Sequence, residues 1–382
     1  MMKDNGILRR ILLAILLCLL ILPYTQEKLL LFKETPLNGA ITTVDKPLFS
    51  LSEWLEGTFQ EKTESFLNQN FGFRTGLVRF NNQILYSIFN KAKAKDVIVG
   101  KESYLYESGY IDAINGINYL GDEIFAEKIR KIRLLSDTLS KMNKSLIIAI
   151  APSKARFYTE YIPDNLLHIS NQTNYNGFVK AAKDASLDII DFGDYFIKSK
   201  DTSKYLLFPK LGTHWSVYGA CLAEDSLIHY IEHERHIDLR ELQWSVDGVK
   251  RAYGTDYDIA DGMNLLYRIR GPELAYPTLT YEKDSSKIQL KVVSIADSFY
   301  WMFMYNQIGE IFEKHQYWYY FNDIWPKSND CQRENRVVAD LDLRTEIDKN
   351  DVFIILNTES TVGGYGFGFI EAAYDLYYPV VK

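Results

Sequence analysis

Hydrophobic positions along this chain fall into three successive patterns. Residues 11–22 are an unbroken apolar run directly behind Arg9 and Arg10. From about residue 52, Phe59, Phe66 and Leu67 recur with Glu61, Lys62 and Glu64 between them, a helical stripe with Ser52 as a candidate cap. Beyond residue 96 the pattern changes again, and short apolar runs alternate with segments of helical period. "DVIVGKESYLYE" reads as an apolar strand, "EIFAEKIRKIRLLSDTLSKMNK" as a helix, and "SLIIAIAPSK" as a strand buried on both faces. A helix around "YNGFVKAAKDAS", a strand "LDIIDFG", a helix from Ser216 to about Glu234, a strand "IQLKVVSIAD", an aromatic helix from Phe299 and a last strand "DVFIILN" continue the series. This alternation predicts βαβ units around a mostly parallel sheet. Residues 240–285 break it with short polar, Tyr-rich segments containing Gly and Pro, and read as an insertion.

The organisation expected is therefore a signal anchor or signal peptide over residues 1–30, a helical lead-in over 31–95, and one α/β domain over 96–382. The apolar run is short for a membrane span, which needs about 20 apolar residues, and its length suits a cleaved signal peptide. The residues after Leu22 read Pro-Tyr-Thr-Gln-Glu-Lys, without a small-x-small cleavage pattern, and Ile7, Leu8 and Tyr24 extend the span if the arginines snorkel. That balance favours an uncleaved anchor. With the arginines held in the cytoplasm, residues beyond about 30 face outside.

Composition narrows the functional classes. A hydrophobic fraction of 47% over 382 residues is enough for a sizeable core. The 43 basic against 50 acidic residues give a net charge of −7, so a nucleic-acid backbone is repelled on average. Three cysteines rule out a disulfide framework and show no CxxC spacing, and Cys221 and Cys331 allow one bridge at most. No GxGxxG and no Walker A motif is present.

Ligands of parallel α/β sheets gather at the carboxyl ends of the strands, and two reactive residue types fall there. In "KVVSIADSFYW" a strand runs straight into Asp297 and Ser298, which places Ser298 on a strand-to-helix turn, suited to a nucleophile, although a serine there is also an ordinary helix cap. In "FPKLGTHWSVYGA", Ser216 caps the following helix and leaves His214 just outside it, where an imidazole reaches a hydroxyl as readily as it satisfies a local hydrogen bond. His229, His233 and His236 share a helical face, but the charged residues between them suit a solvated helix end equally, and no metal site is assigned. Lys154, at the carboxyl end of a buried strand, is placed either to approach the site as a further oxyanion donor or to lie on the surface of a turn. Arg156 and Tyr158 share that turn and are expected to touch a sugar or an acyl carrier, and Trp215, Tyr300 and Trp301 flank the candidate centre as platforms for a sugar, or as core.

Taken in order, "WLEGTFQEKTESFLNQNFGFR", "VIVGKESYLYE", "IAPSKARFYTEYIPD", "FPKLGTHWSVYGA", "DYDIAD" and "VVSIADSF" resemble the alginate O-acetyltransferase family of the AlgX and AlgJ type, with its SGNH-hydrolase-like catalytic domain. The resemblance implies a three-layer α/β/α fold, with His214 as base and Ser298 as nucleophile. Better-studied members carry an aspartate two residues before the histidine, and Gly212 stands there instead, with Ala296 in place of the glycine that opens the family's GDS motif. The acid that orients His214 must then come from elsewhere. Asp258, in the family-like "DYDIAD", is the first candidate, with Asp297 and Asp261 as alternatives.

By that resemblance the chain is expected to be an extracytoplasmic O-acyltransferase, specifically an O-acetyltransferase, acting on an exported or cell-surface polysaccharide. It needs no cofactor of its own and takes the acyl group from a polytopic membrane-bound O-acyltransferase partner. The alternatives are an esterase of the same chemistry and a polysaccharide-binding protein on an impaired catalytic fold.

Overall fold

The computed structural model describes residues 6–39, 44–284, 286–326 and 333–379, which form two compact units. Cys331 lies outside the described residues, and with it the possible bridge to Cys221.

One unit holds the chain up to residue 95 together with residues 260–269, which lie within the expected insertion. Its first element is the apolar helix Gly6–Leu29, of 24 residues. At 1.5 Å per residue this is about 36 Å, against a hydrocarbon thickness of about 30 Å. Among the described residues it is the one helix long and apolar enough to cross a membrane. The stripe read as a single helix divides at Gly57 into Leu51–Glu56 and Thr58–Asn70, and Ser50, not Ser52, occupies the cap position. The helix Arg74–Phe89 follows. Its first donors are satisfied from a distance: the carboxylate of Glu34 accepts from the Phe73 N–H at 2.6 Å and from the Thr75 hydroxyl at 2.7 Å.

The other unit, residues 96–259 and 270–382, is an α/β domain. Its sheet has six strands, β1 Ser145–Ala151, β2 Ile190–Asp191, β3 Lys291–Ala296, β4 Lys314–Tyr319, β5 Asp323–Pro326 and β6 Val352–Thr358. Their order across the sheet is β5-β4-β3-β6-β1-β2. The sheet is mixed: β5 pairs antiparallel with β4, and every other pairing is parallel. The pleat sends successive side chains to opposite faces. Ile147, Ala149 and Ala151 join one buried cluster with Phe192, Phe196, Trp215 and Phe303, while Leu146, Ile148 and Ile150 join another with Phe125, Ile129, Phe178 and Ile370. Each fully buried Ile, Leu or Phe contributes roughly 1.5–3 kcal/mol. The helix Asp122–Lys141 supplies Phe125, Ile129, Ile132, Leu135 and Leu139 at three- and four-residue spacing, which is why its sequence reads so clearly as amphipathic.

Two expected elements take a different form. The strand read in "DVIVGKESYLYE" is a hairpin, Val97–Val99 pairing antiparallel with Leu105–Glu107. The segment read as an insertion contains two short antiparallel ladders, Leu242–Ser245 with Thr278–Tyr281 and Val249–Arg251 with Glu273–Ala275.

Candidate active site

The parallel strands deliver their chemistry to one rim. β3 ends one residue before Asp297 and Ser298, β4 leads into Tyr320, β6 into Glu359, β1 into Lys154 and Arg156, and β2 ends on Asp191. On that rim Ser298 Oγ lies 3.0 Å from His214 Nε2, and His214 Nδ1 lies 2.8 Å from Asp258 Oδ2. An ionised carboxylate can only accept, so Nδ1 carries the proton and donates it to Asp258, which leaves Nε2 with a lone pair facing the serine hydroxyl.

Each member is fixed by its neighbours. Asp258 Oδ1 accepts from the Thr213 N–H at 2.9 Å and from the Ile259 N–H at 2.7 Å, so one carboxylate grips both the backbone before the histidine and the ring itself. His214 stands just before the helix Val217–Arg235, whose cap is Ser216: its Oγ accepts from the Gly219 N–H. The imidazole packs against Phe299, with ring centroids 4.9 Å apart. The capping role that competes for Ser298 belongs to Asp297, whose Oδ1 accepts from the Phe299 N–H at 3.1 Å. Asp297 Oδ2 accepts from the Thr358 N–H and the Thr361 hydroxyl, so this carboxylate ties β3 to β6 and does not bond His214. Asp261 lies one turn beyond Asp258 and offers its carbonyl to Asn38. Of the three candidate acids, the geometry pairs Asp258 with the histidine.

Gly212 explains why the acid is displaced in sequence. A Cβ there would lie 2.3 Å from the Thr255 carbonyl oxygen and 2.8 Å from the Asp256 carbonyl carbon. The turn that carries Asp258 passes through the space a side chain at 212 would need. Lys154, almost fully buried, holds the same loop: its Nζ donates to the carbonyls of Lys210 at 2.8 Å and Gly212 at 2.7 Å. Burial pushes its ammonium down to about 7, against the pull of Asp258 and Glu107. Lys154 therefore acts on the histidine loop from within.

Electrostatics around the imidazole oppose one another. Burial, the largest influence, lowers the His214 pKa, but the hydrogen bond and charge of Asp258, with Glu107 and Asp297 behind it, leave it above its ordinary value. Burial also pushes Asp256 up to about 7, which lessens the negative charge beside Asp258.

Other expected contacts are corrected by burial. Trp215 and Tyr300 are fully buried, Trp215 among Phe192, Phe299 and Phe303, and Tyr300 with its hydroxyl accepting from Ser294 Oγ, so both pack the core and neither is open to a sugar. Tyr158 is likewise buried, with its ring edge-on to Tyr104 and Phe157. Trp301 stays half-exposed against Tyr319 and Trp325. His229 turns Nδ1 to the Asp225 carbonyl, and among the described residues no cluster of His, Cys, Asp or Glu is arranged to hold a metal.

Tyr320, at the end of β4, carries no sequence signal of its place: it comes near Ser298 and is 41% exposed. Its φ of +50°, followed by +54° at Phe321, puts two large residues in the left-handed region at the end of β4, at a cost of about 1–3 kcal/mol each. The aromatic run "QYWYYF" masks that turn, since no Gly or Asn signals it.

Residues 97–255 match the family model described as the SGNH hydrolase-like domain of acetyltransferase AlgX. The chain resembles the AlgX and AlgJ family. The matched region includes His214 and stops short of Asp258 and Ser298. Among curated proteins, the probable alginate O-acetylase AlgJ of Pseudomonas putida is 26% identical over 39% of this chain and 37% of its own, and that of Pseudomonas aeruginosa 25% identical over 48% and 43%. The chain thus spans about two fifths of the length of these AlgJ relatives. Among solved structures, the O-acetyltransferase domain of Pseudomonas putida AlgJ aligns at 18% identity and a TM-score of 0.49, covering 73% of this chain and 99% of that domain.

Proposed function

We propose that this protein is a membrane-anchored, extracytoplasmic O-acetyltransferase that modifies a cell-surface or exported polysaccharide through an acyl-enzyme on Ser298. The observation that carries the reading is the unbroken line of hydrogen bonds from Ser298 Oγ through His214 to Asp258. His214 Nε2 takes the hydroxyl proton as Oγ attacks the acyl carbonyl, and Asp258 stabilises the imidazolium. The Ser298 N–H, at the start of a helical turn where backbone donors lack intrahelical acceptors, and the hydroxyl of nearby Tyr320 are the donors proposed for the developing oxyanion. The imidazolium returns its proton to the departing donor group. A sugar hydroxyl then repeats the attack on the acyl-serine, gives its proton to His214, and leaves as the ester while Ser298 recovers its hydrogen.

The names of the curated relatives support acetyl as the acyl group and a polysaccharide as acceptor. The apolar run behind Arg9 and Arg10 in the helix Gly6–Leu29 supports an anchor with the domain outside the cytoplasm. Acetyl-coenzyme A does not reach that side, so a membrane-bound O-acyltransferase is the donor partner.

Purified protein given p-nitrophenyl acetate tests the reading. The expected result is an acetyl adduct on Ser298 by peptide mass spectrometry, absent in Ser298→Ala, that is discharged to oligosaccharide. Discharge to water alone makes the protein an esterase, and no adduct at all removes the enzymatic reading.

A further inference from the structure

A cavity of about 210 Å³ opens on the same rim, two strands from Ser298. Neighbouring strands lie about 4.8 Å apart, which sets the ends of β3 and β1 roughly 10 Å from each other. They share two walls. The helix Ser108–Ile114 brings Tyr110 against Phe299 at one end and Ala113 and Ile114 to the cavity at the other. The loop after β6 brings Ser360 to the Tyr110 hydroxyl and Glu359 to the cavity.

The cavity is built around an ion pair. Arg156 Nη1 donates to Glu359 Oε1 at 2.8 Å, and the Glu359 side chain is 2% exposed. The guanidinium lies over the Tyr175 ring, 4.2 Å from its centroid, and the Tyr175 hydroxyl donates to Asp191 Oδ2 at 2.6 Å. The backbone of Gly193 seats the pair, since a Cβ there would meet Glu359 Oε1 at 2.5 Å and Arg156 Nη1 at 2.8 Å. Ile114, Ile169 and Asn171 complete the opening. Two carboxylates, Glu359 and Asp191, therefore surround one guanidinium, and the site carries no net positive charge whether or not Glu359 is protonated. A ligand carboxylate placed here would meet a cation already neutralised and a second carboxylate close by, and would lose its hydration without compensation. An uncharged ring finds aliphatic side chains, an amide and unused guanidinium N–H groups.

We infer that this cavity is an acceptor subsite for an uncharged sugar residue of the polysaccharide, next to the residue that is acetylated, and that it selects neutral glycans over uronates. The volume is below the range of about 300–1,000 Å³ usual for whole ligands, which suits one ring of a longer chain. The inference rests on the acyltransferase reading for the identity of its ligand.

Binding to full-length Ser298→Ala protein in detergent, by calorimetry, tests it without acyl chemistry. The probes are cellohexaose, mannohexaose and chitohexaose as neutral glycans and hexamannuronate as the anionic one. At least one neutral hexasaccharide is expected to bind ten-fold or more tightly than hexamannuronate. Asn171→Trp and, from the other wall, Ile169→Trp are each expected to weaken it ten-fold, with circular dichroism and melting temperature showing that both variants fold. Equal or tighter hexamannuronate binding, no binding by any neutral probe, or unchanged affinity in both folded variants overturns the subsite. An acetyl adduct on Ser298 with no neutral binding removes the subsite and keeps the acyltransferase. Neutral binding without an adduct removes the acyltransferase and, with it, the acceptor role of the cavity, which is then a glycan-binding site alone.

Discussion

His214 is held between two demands: burial disfavours its charge, and Asp258 favours it. The second prevails, so the imidazole titrates above its ordinary value of about 6.5. A general base must be neutral, so kcat/KM for ester cleavage should fall as pH drops through a pKa above that value. Asp258→Asn removes the raising influence and leaves burial less opposed, so the acidic limb of the profile should move to lower pH. The same variant loses the acceptor that fixes the tautomer and should reduce kcat by about 10⁴-fold. Gly212→Ala forces a methyl group against the Thr255 carbonyl and should cost about 1–3 kcal/mol, read as a lowered melting temperature. At this scale the sequence is partly legible. Ser298 and His214 are visible as a strand-end serine and a loop histidine, positions that suit a helix cap and a local hydrogen bond equally, and only the family resemblance singles out their roles. Glu359 and Tyr320 are not, because a polar residue after "FIILNT" and a tyrosine within an aromatic run carry no local mark of what they face.

Among the elements, the helix Val217–Arg235 is tied to its surroundings through a buried acid. The Tyr281 hydroxyl lies 2.7 Å from Glu224 Oε1 and 2.6 Å from the Asn306 carbonyl oxygen. A hydroxyl has one proton, and a carbonyl can only accept. With that proton given to Asn306, the Glu224 contact requires a protonated carboxyl donating to Tyr281, in agreement with burial pushing Glu224 up to about 8. A carboxyl whose folded pKa is raised holds its proton more tightly than in the unfolded chain. Its stabilising contribution is complete below the unfolded value near 4.5 and is lost as pH rises towards 8. Melting temperature should therefore decline from about pH 5 to about pH 9, and Glu224→Gln should flatten that decline. Strands β1, β3 and β6 are legible as apolar runs and the helix Asp122–Lys141 by its spacing. The pair β4 and β5 escapes notice because "KHQYWYY" has neither alternation nor an aliphatic run, and the aromatic contacts that make it a strand are tertiary.

For the whole molecule, the leading helix, apolar and long enough to cross a membrane, also has a role within its own unit. Its last turns pack within their own unit: the Pro23 carbonyl and the Gln26 side chain lie so close to Gly72 that no Cβ fits between them, and Gln26 Nε2 donates to the Phe32 carbonyl at 2.6 Å. Removal of residues 6–22 should release the protein from membranes while leaving p-nitrophenyl acetate cleavage intact, whereas deletion through residue 30 should also lower the melting temperature of that unit. Fractionation and calorimetry distinguish the two. No small-x-small cleavage pattern follows Leu22, so mass spectrometry of membrane-extracted protein should find the N-terminal segment retained. The two-unit division is only half legible. The apolar run and the change of period near residue 96 are plain, but residues 260–269 return to the first unit through contacts such as Asn82 Nδ2 donating to the Met263 carbonyl, which no local pattern announces.

The occupied space at Gly212 has an evolutionary corollary. A lineage can place its acid two residues ahead of the histidine or on the crossing turn at 258, but the two arrangements compete for one volume. Homologues should therefore divide into mutually exclusive classes: wherever a side chain replaces the glycine, the turn will have shifted away and its aspartate will be free to drift.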